Sequence, residues 1–383
     1  MMNKKIIAAW CVCASLAYGC QSNPTQNKQS NPTADTTVNL GFDSQIDGQE
    51  VRLFQLKNAK LTVSLTNYGA RLVSLEVPDK EGKSRDVILG YDSAEEYKKN
   101  YNNYYGAIVG RYGNRIGKAS FKLNGETFSL EKNDGDNSLH GGTNGVYNKV
   151  WKVVNNTATS ITLAYTSPDG EAGYPGTVNM EVTYTLQDNG GLTIDYRATT
   201  DKETVLNLTN HAYFNLNGAG DPSILDHELQ IAAKGITEVD ATLIPTGKSL
   251  PVEGTAFDFT KAQAIGAHIN DENAQLKIGK GYDHNFELDK KAGFQEVAAV
   301  YAPKTGIEMK IYTTEPGLQF YSGNFMKDTD PKGKDGKAYP FRSAFCLETQ
   351  HFPDAPNHPG FASTVLKPGD TYSSKTEYRF LVR

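Results

Sequence analysis

Strict two-residue alternation of apolar and polar side chains is the feature that most narrows what this sequence can fold into. Leu61, Val63 and Leu65 alternate with Thr62, Ser64 and Thr66. Val178, Met180, Val182, Tyr184 and Leu186 form a second row, and Leu192, Ile194, Tyr196 and Ala198 form a third, directly after Asp188-Asn189-Gly190-Gly191. Successive side chains of a strand point to opposite faces, so these rows predict strands with one buried face. Phe121 to Phe128 reads as a hairpin, because Asn124-Gly125 suits a type I′ turn. Ser93-Ala-Glu-Glu96 has the spacing of a capping box and predicts one short helix. Strands do not alternate with helices at βαβ spacing, which argues against a doubly wound parallel sheet. No composition break divides residues 40–383. The expected fold class is all-β: one large domain, 38–383, of mostly antiparallel strands with few short helices and long polar loops.

The first forty residues read differently. Lys4 and Lys5 precede an apolar stretch from Ile6 to Leu16, followed by Ala17-Tyr18-Gly19-Cys20. Eleven apolar residues are too few for a mature membrane span, which needs roughly 20, and have the size of a signal-peptide core. The small residues before Cys20 resemble a bacterial lipoprotein processing box, in which the thiol receives a diacylglycerol and becomes the first residue. Ala17 departs from that pattern, since Leu is commoner there. Residues 1–19 are therefore expected as a lipoprotein signal peptide, with ordinary secretion as the alternative. Residues 20–37 are expected as a disordered tether with lipidated Cys20. Gln21 to Thr37 lacks aromatic and large aliphatic residues and repeats Gln-Ser-Asn-Pro-Thr at 21–25 and 29–33. The membrane is a partner through that anchor, and the expected location is the bacterial cell envelope.

The other cysteine, Cys346, is the only one of four outside the first twenty positions. One thiol in the body rules out a disulfide framework and a cysteine-based zinc site. A net charge of −5 does not suggest a nucleic-acid binder.

Four of the seven histidines stand in polar, chemistry-bearing company: His140, His211, His284 and His351. His140 precedes Gly141-Gly142, a pair that permits a tight backbone path beside a ligand. Each of the four could equally be a hydrogen-bonded structural residue. His227 and His268 read as surface. Glu348 and His351 are three apart, but on a strand that spacing does not place them on one face, and no His-Glu-x-x-His run exists. Neither a Gly-x-Ser-x-Gly elbow nor a phosphate loop is present. Arg111 and Arg115 could bind an anion or pair with structural acids.

From about residue 40 onward the chain resembles the aldose 1-epimerase (galactose mutarotase) family. The matching segments run in order: Asn67-Tyr-Gly-Ala70, Gly110-Arg-Tyr-Gly-Asn-Arg-Ile116, Asn137-Ser-Leu-His-Gly-Gly142 and Ser167 to Gly176. Leu208-Thr-Asn-His-Ala-Tyr-Phe-Asn-Leu216, Tyr282-Asp-His-Asn-Phe286 and Leu347-Glu-Thr-Gln-His-Phe-Pro-Asp-Ala-Pro-Asn357 follow. The resemblance implies a β-supersandwich and interconversion of the α and β anomers of free aldoses. It implies His211 as general acid and Glu348 as general base. It also implies Asn114, Arg115, His140, Asp283 and Gln319 as sugar ligands, with Tyr213 beside the sugar. Ala212 and His351 depart from the pattern, and His351 is expected in the pocket wall.

That reaction needs no cofactor and no catalytic metal. A structural calcium ion stays open, although no calcium-loop signature is present. The partner is a small-molecule aldose, and the expected form is a monomer. Attraction between Glu348 and His211 is expected to raise the imidazole's proton affinity. Three other readings remain: a hexose-6-phosphate epimerase using Arg111 and Arg115, a glycoside hydrolase using Asp283 and Glu348, and a non-catalytic carbohydrate-binding lipoprotein.

Overall fold

The alternating rows fold as strands whose apolar side turns inward. In Val178–Leu186 the buried residues are Val178, Met180, Val182, Tyr184 and Leu186, and their neighbours are exposed or half-buried. This strand pairs antiparallel with Gly191–Thr200 across the Asp188 to Gly190 turn. Asn124 (φ 52°) and Gly125 (φ 83°) both take left-handed conformations. They close the hairpin of Ser120–Leu123 and Glu126–Ser129 with the two positive φ angles of a type I′ turn.

The computed structural model describes residues 37–38, 41–289 and 292–383. The expected signal peptide, Cys20 and the tether up to residue 36 lie outside the described residues. Pairing begins at Thr37, opposite Phe54, one residue ahead of the expected boundary at 38.

Among the described residues, three sheets carry the architecture, and every pairing within them is antiparallel. A nine-stranded sheet runs in the order Lys152–Asn156, Ser160–Ser167, Val178–Leu186, Gly191–Thr200, Tyr372–Val382, Ile307–Thr313, Gln295–Ala302, Glu228–Ile231, Gln263–Ala264. One five-stranded sheet is built from the N-terminal strands, Thr37–Val38 to Ser84–Asp86. A second has the order Pro245–Pro251, Ala233–Val239, Asp283–Leu288, Gly317–Tyr321, Cys346–Gln350. One continuous core lies among all three, joining Val63, Leu65 and Leu75 to Val182, Ile194 and Ile311 and to Phe286, Leu318 and Leu347. Burying that apolar surface is the main force holding the sheets together.

Helices are few and short. Ala94–Lys99 starts at Ser93, whose side chain accepts from the Glu96 amide, while the Glu96 carboxylate accepts from the Ser93 hydroxyl and the Asp92 amide. Ser93 caps the helix as the sequence predicts, while Glu96 reaches back to the Asp92 amide and the Ser93 hydroxyl instead of the Ser93 amide of a full capping box. A second helix, Ala274–Gly279, was not expected; Asn273 caps it by accepting from Gln275 and Leu276.

Candidate active site

Register on the second five-stranded sheet decides which side chains meet. Asp283 lies opposite Tyr321, and Tyr321 opposite Cys346. Asn285 lies opposite Gln319, and Gln319 opposite Glu348. Directly paired residues share a face, as do residues two apart. Asp283, Gln319, Cys346 and Glu348 therefore project from one side. The alternate residues Phe286, Leu318, Phe320 and Leu347 project from the other into the core. A polar face backed by an apolar one holds these groups on rigid backbone.

That face borders a cleft of about 1180 Å³. Of the expected site residues, Asn114, Arg115, His140, His211, Tyr213, Asp283 and Glu348 all line it. Gln319, expected as a sugar contact, does not. It is buried behind the wall, and its amide donates to Asp283 Oδ1 at 2.7 Å, fixing the carboxyl that does face the cleft. Arg115 Nε donates to Asp134 at 2.8 Å, and its guanidinium also stands 3.9 Å from Asp283 Oδ2.

His211 follows the short strand Thr209–Asn210, which pairs with Ile108–Val109. Its amide donates to Ala107, and its carbonyl accepts from Gly106. Three residues on, Phe214 exchanges backbone hydrogen bonds with Phe345 at 2.7 and 2.9 Å. This seam locks the His211 segment against the start of the strand carrying Glu348. The result places His211 Nε2 3.7 Å from Glu348 Oε1. The other ring nitrogen, Nδ1, meets Cys346 Sγ at 3.5 Å. Two residues apart on one strand, Cys346 and Glu348 share a face, and His211 contacts both.

His140 enters through the Gly-Gly turn. Gly141 (φ +88°) passes so close to Gly110 that a Cβ would sit 2.0 Å from its carbonyl oxygen, so only glycine fits. The His140 amide donates to the Asn114 carbonyl, and the Asn114 amide donates to His140 Nδ1 at 3.1 Å.

Burial dominates the electrostatics. Desolvation drives the His211 pKa down to about 3, against a weaker opposing hydrogen bond to its own backbone. Desolvation and the nearby Asp283 charge push the Glu348 carboxyl well up, more than Arg115 pulls it down. The expected rise in imidazole basicity is therefore reversed. Burial penalises the charged form of both groups. Desolvation likewise lowers His140 and raises Asp283.

The expectations for His351 and His227 are corrected, and the open readings of His284 and Arg111 resolve as structural. His351 is not in the cleft wall. Its Nδ1 contacts the buried Glu315 carboxylate at 2.6 Å, and its amide binds Asn207. His284 is buried against Phe257, with Nδ1 accepting from the Asp283 amide. Arg111 is structural: its guanidinium donates to the Ser167, Pro168 and Pro175 carbonyls and to the Ser167 hydroxyl. His227, read as surface, is fully buried. Its Nε2 accepts from the Leu216 amide at 3.0 Å and its Nδ1 donates to Asp226 at 3.1 Å. His268 is exposed, as expected.

The family model described as Aldose 1-epimerase matches residues 52–379. The chain belongs to the aldose 1-epimerase family. It is 45% identical over 334 residues to a galactose mutarotase of Sus scrofa, covering 87% of this chain and 94% of that one. It is 40% identical over 339 residues to an aldose 1-epimerase of Escherichia coli K12, covering 88% and 96%. The structure of an aldose epimerase homologue from C. elegans superposes with a TM-score of 0.80 at 33% identity, covering 86% of this chain and 98% of that one. The galactose 1-epimerase of Lactobacillus acidophilus superposes at 0.78 with 29% identity, covering 88% and 97%. The fold is the galactose mutarotase-like one expected from the motifs.

In this aldose 1-epimerase family member, His140, His211 and Glu348 offer donor atoms all within 4.8 Å of one another. The trio nevertheless suits a polyol better than a metal. Because His140 Nδ1 accepts a backbone N–H, its proton sits on Nε2 and faces the cleft as a donor. A metal ligand needs the opposite arrangement, with Nδ1–H donating away. Tyr104 is among the lining residues that the sequence reading did not single out. Tyr104 (φ 54°) lies nearly parallel to the His211 ring at 5.6 Å and edge-on to His140 at 4.6 Å. Its signal was faint, since it sits in an aromatic-rich run, Tyr101-Asn-Asn-Tyr-Tyr105, that looks like ordinary core.

Proposed function

We propose that the cleft interconverts the α and β anomers of free aldoses such as glucose and galactose, as an aldose 1-epimerase. The observation that carries this reading is the buried imidazole and carboxyl, 3.7 Å apart, facing a cleft lined with hydrogen-bonding side chains. Opening the ring removes the proton from the anomeric hydroxyl and delivers one to the ring oxygen as the C1–O5 bond breaks. Glu348 takes the first proton and His211 Nε2 gives the second. The aldehyde then rotates about C1–C2, and the two transfers reverse on its other face. Asn114, Arg115, His140 and Asp283 orient the hydroxyls, and Tyr213 covers an apolar face.

The direction of the pKa shifts acquires a meaning here. Before ring opening the pair is carboxylate and imidazolium; afterwards it is carboxylic acid and neutral imidazole. Burial favours the second distribution, the one that accompanies the open-chain sugar. Each positioned transfer typically contributes about 10²–10⁴-fold.

A phosphorylated substrate fits poorly. The cleft presents Asp134, Asp136, Asp240, Asp283, Glu348 and Asp354 against only Arg115, Lys118 and Lys280, and Arg111 is committed to backbone carbonyls. A hydrolase reading would pair Glu348 with a second carboxyl, whereas its partner at 3.7 Å is an imidazole. Polarimetry on fresh α-glucose, α-galactose and glucose 6-phosphate tests the proposal. Acceleration with the free sugars and little with the phosphate is expected; no acceleration of any free aldose overturns it.

We also propose that the enzyme acts in the cell envelope, held by lipid on Cys20. Lys4-Lys5, the apolar run to Leu16 and the small residues before Cys20 support this. Mass spectrometry of the mature N-terminus should find a diacylglyceryl-modified Cys20; an unmodified N-terminus elsewhere contradicts it.

A further inference from the structure

The His211 imidazole has two ring nitrogens, and only Nε2 faces Glu348. The imidazole can take and give a proton at Nε2 only if its other proton stays on Nδ1: Nε2 accepts when the ring is neutral and donates when it is protonated. What holds Nδ1 is therefore part of the chemistry, and this inference rests on the acid role given to His211 above.

The surroundings of that ring are specific. Tyr213 lies nearly parallel to it, at 5.0 Å and 20°, and Tyr104 at 5.6 Å and 26°. His140 meets it edge-on at 4.9 Å. Ring rotation would have to displace buried aromatic neighbours, so the plane of His211 is fixed. The side chain that meets Nδ1 is Cys346, whose Sγ is 3.5 Å away and wholly buried, beside the hydrogen bond that the ring makes to its own backbone. Burial and the nearby Glu348 and Asp283 charges keep this thiol protonated, so it is not a nucleophile. A thiol sulfur is a weak acceptor that tolerates a low-dielectric pocket, and it leaves Nδ1–H in place while Nε2 trades its proton.

We propose that Cys346, with the plane set by Tyr104 and Tyr213, is a positioning residue that holds His211 in the Nδ1–H form and so leaves Nε2 free to exchange protons with the sugar. Cys346 touches neither substrate nor reacting atoms, and no bond to sulfur forms or breaks.

The test compares Cys346→Ser, which keeps an acceptor, with Cys346→Val and Cys346→Ala, which do not. Activity is read by polarimetry, and the His211 tautomer by ¹⁵N NMR of histidine-labelled enzyme. The proposal expects Ser to outperform both apolar variants. Val and Ala should lose about tenfold in kcat, the scale of one buried hydrogen bond, with KM little changed. Their His211 signals should move from the Nδ1–H toward the Nε2–H pattern. A packing role predicts the reverse order, since a buried hydroxyl fits an apolar niche worse than a methyl group does. Val or Ala at least as active as Ser, with an unmoved tautomer, overturns the proposal. Two variants guard against one that fails to fold. His211→Asn separates the two levels: if it keeps wild-type activity, the acid assignment itself falls, whereas an inactive His211→Asn beside indifferent Cys346 variants removes only the positioning role.

Discussion

Glu348 Oε1 stands 3.7 Å from His211 Nε2, while Glu348 Oε2 is buried without a hydrogen-bond partner among the described residues. A buried carboxyl left half-satisfied costs stability, and it is retained where the open oxygen has a use. On the proposed mechanism that use is to take the proton of the anomeric hydroxyl.

This arrangement predicts a trade between stability and function. The folded-state pKa of Glu348 is raised, so ionisation in the folded protein is resisted. The penalty is absent below the unfolded carboxyl value of about 4.3 and grows as pH rises toward the folded value. Glu348→Gln should raise Tm by at least about 2 °C at pH 7.5 and leave it nearly unchanged at pH 4.5. Scanning calorimetry at the two pH values checks this; equal Tm at pH 7.5 would contradict it.

His351 carries the opposite sign. Burial alone would lower its pKa, but the hydrogen bond and charge of Glu315 outweigh burial and raise it. The stabilisation is therefore fully present below the unfolded value of about 6.5 and lost as pH rises through the folded value. His351→Gln should cost more stability at pH 6 than at pH 9, measured by denaturant unfolding. Because His351 lies outside the cleft wall, kcat on glucose should stay close to wild type.

The sequence carried the strands and most of the site, because alternation and short motifs are local. It could not carry partners brought together by topology. Gly191–Thr200 pairs with Tyr372–Val382, with Gly191 opposite Arg379, and no local pattern announces such a pairing. His227 looked like surface because burial is a property of neighbours, and its neighbours are Leu216, Asp226 and Phe345. The His211 pKa was misjudged for the same reason: the Glu348 attraction could be imagined from motifs, whereas the desolvation that overrides it could not. Gln319 was read as a sugar contact from the family resemblance, which gives a residue type at a position and not the partner that its amide finds in Asp283.

Gly106 offers a backbone test. It takes φ +67°, and a Cβ there would lie 1.9 Å from the Leu72 carbonyl oxygen. Its amide holds the His211 carbonyl at 3.0 Å, and its carbonyl accepts from Leu72 at 2.9 Å. Gly106→Ala should cost roughly 2 kcal/mol or more, through both the left-handed backbone and the collision. Urea titration gives the loss, and a cost near zero would mean that this joint yields easily.

The central claim is that one carboxyl and one imidazole share the proton work of ring opening. Polarimetric rates on fresh α-galactose for wild type, Glu348→Gln and His211→Asn test it most directly, with folding of each variant confirmed by circular dichroism. Each substitution should lower kcat by at least about 10²-fold. Near-wild-type kcat in either folded variant would contradict the account.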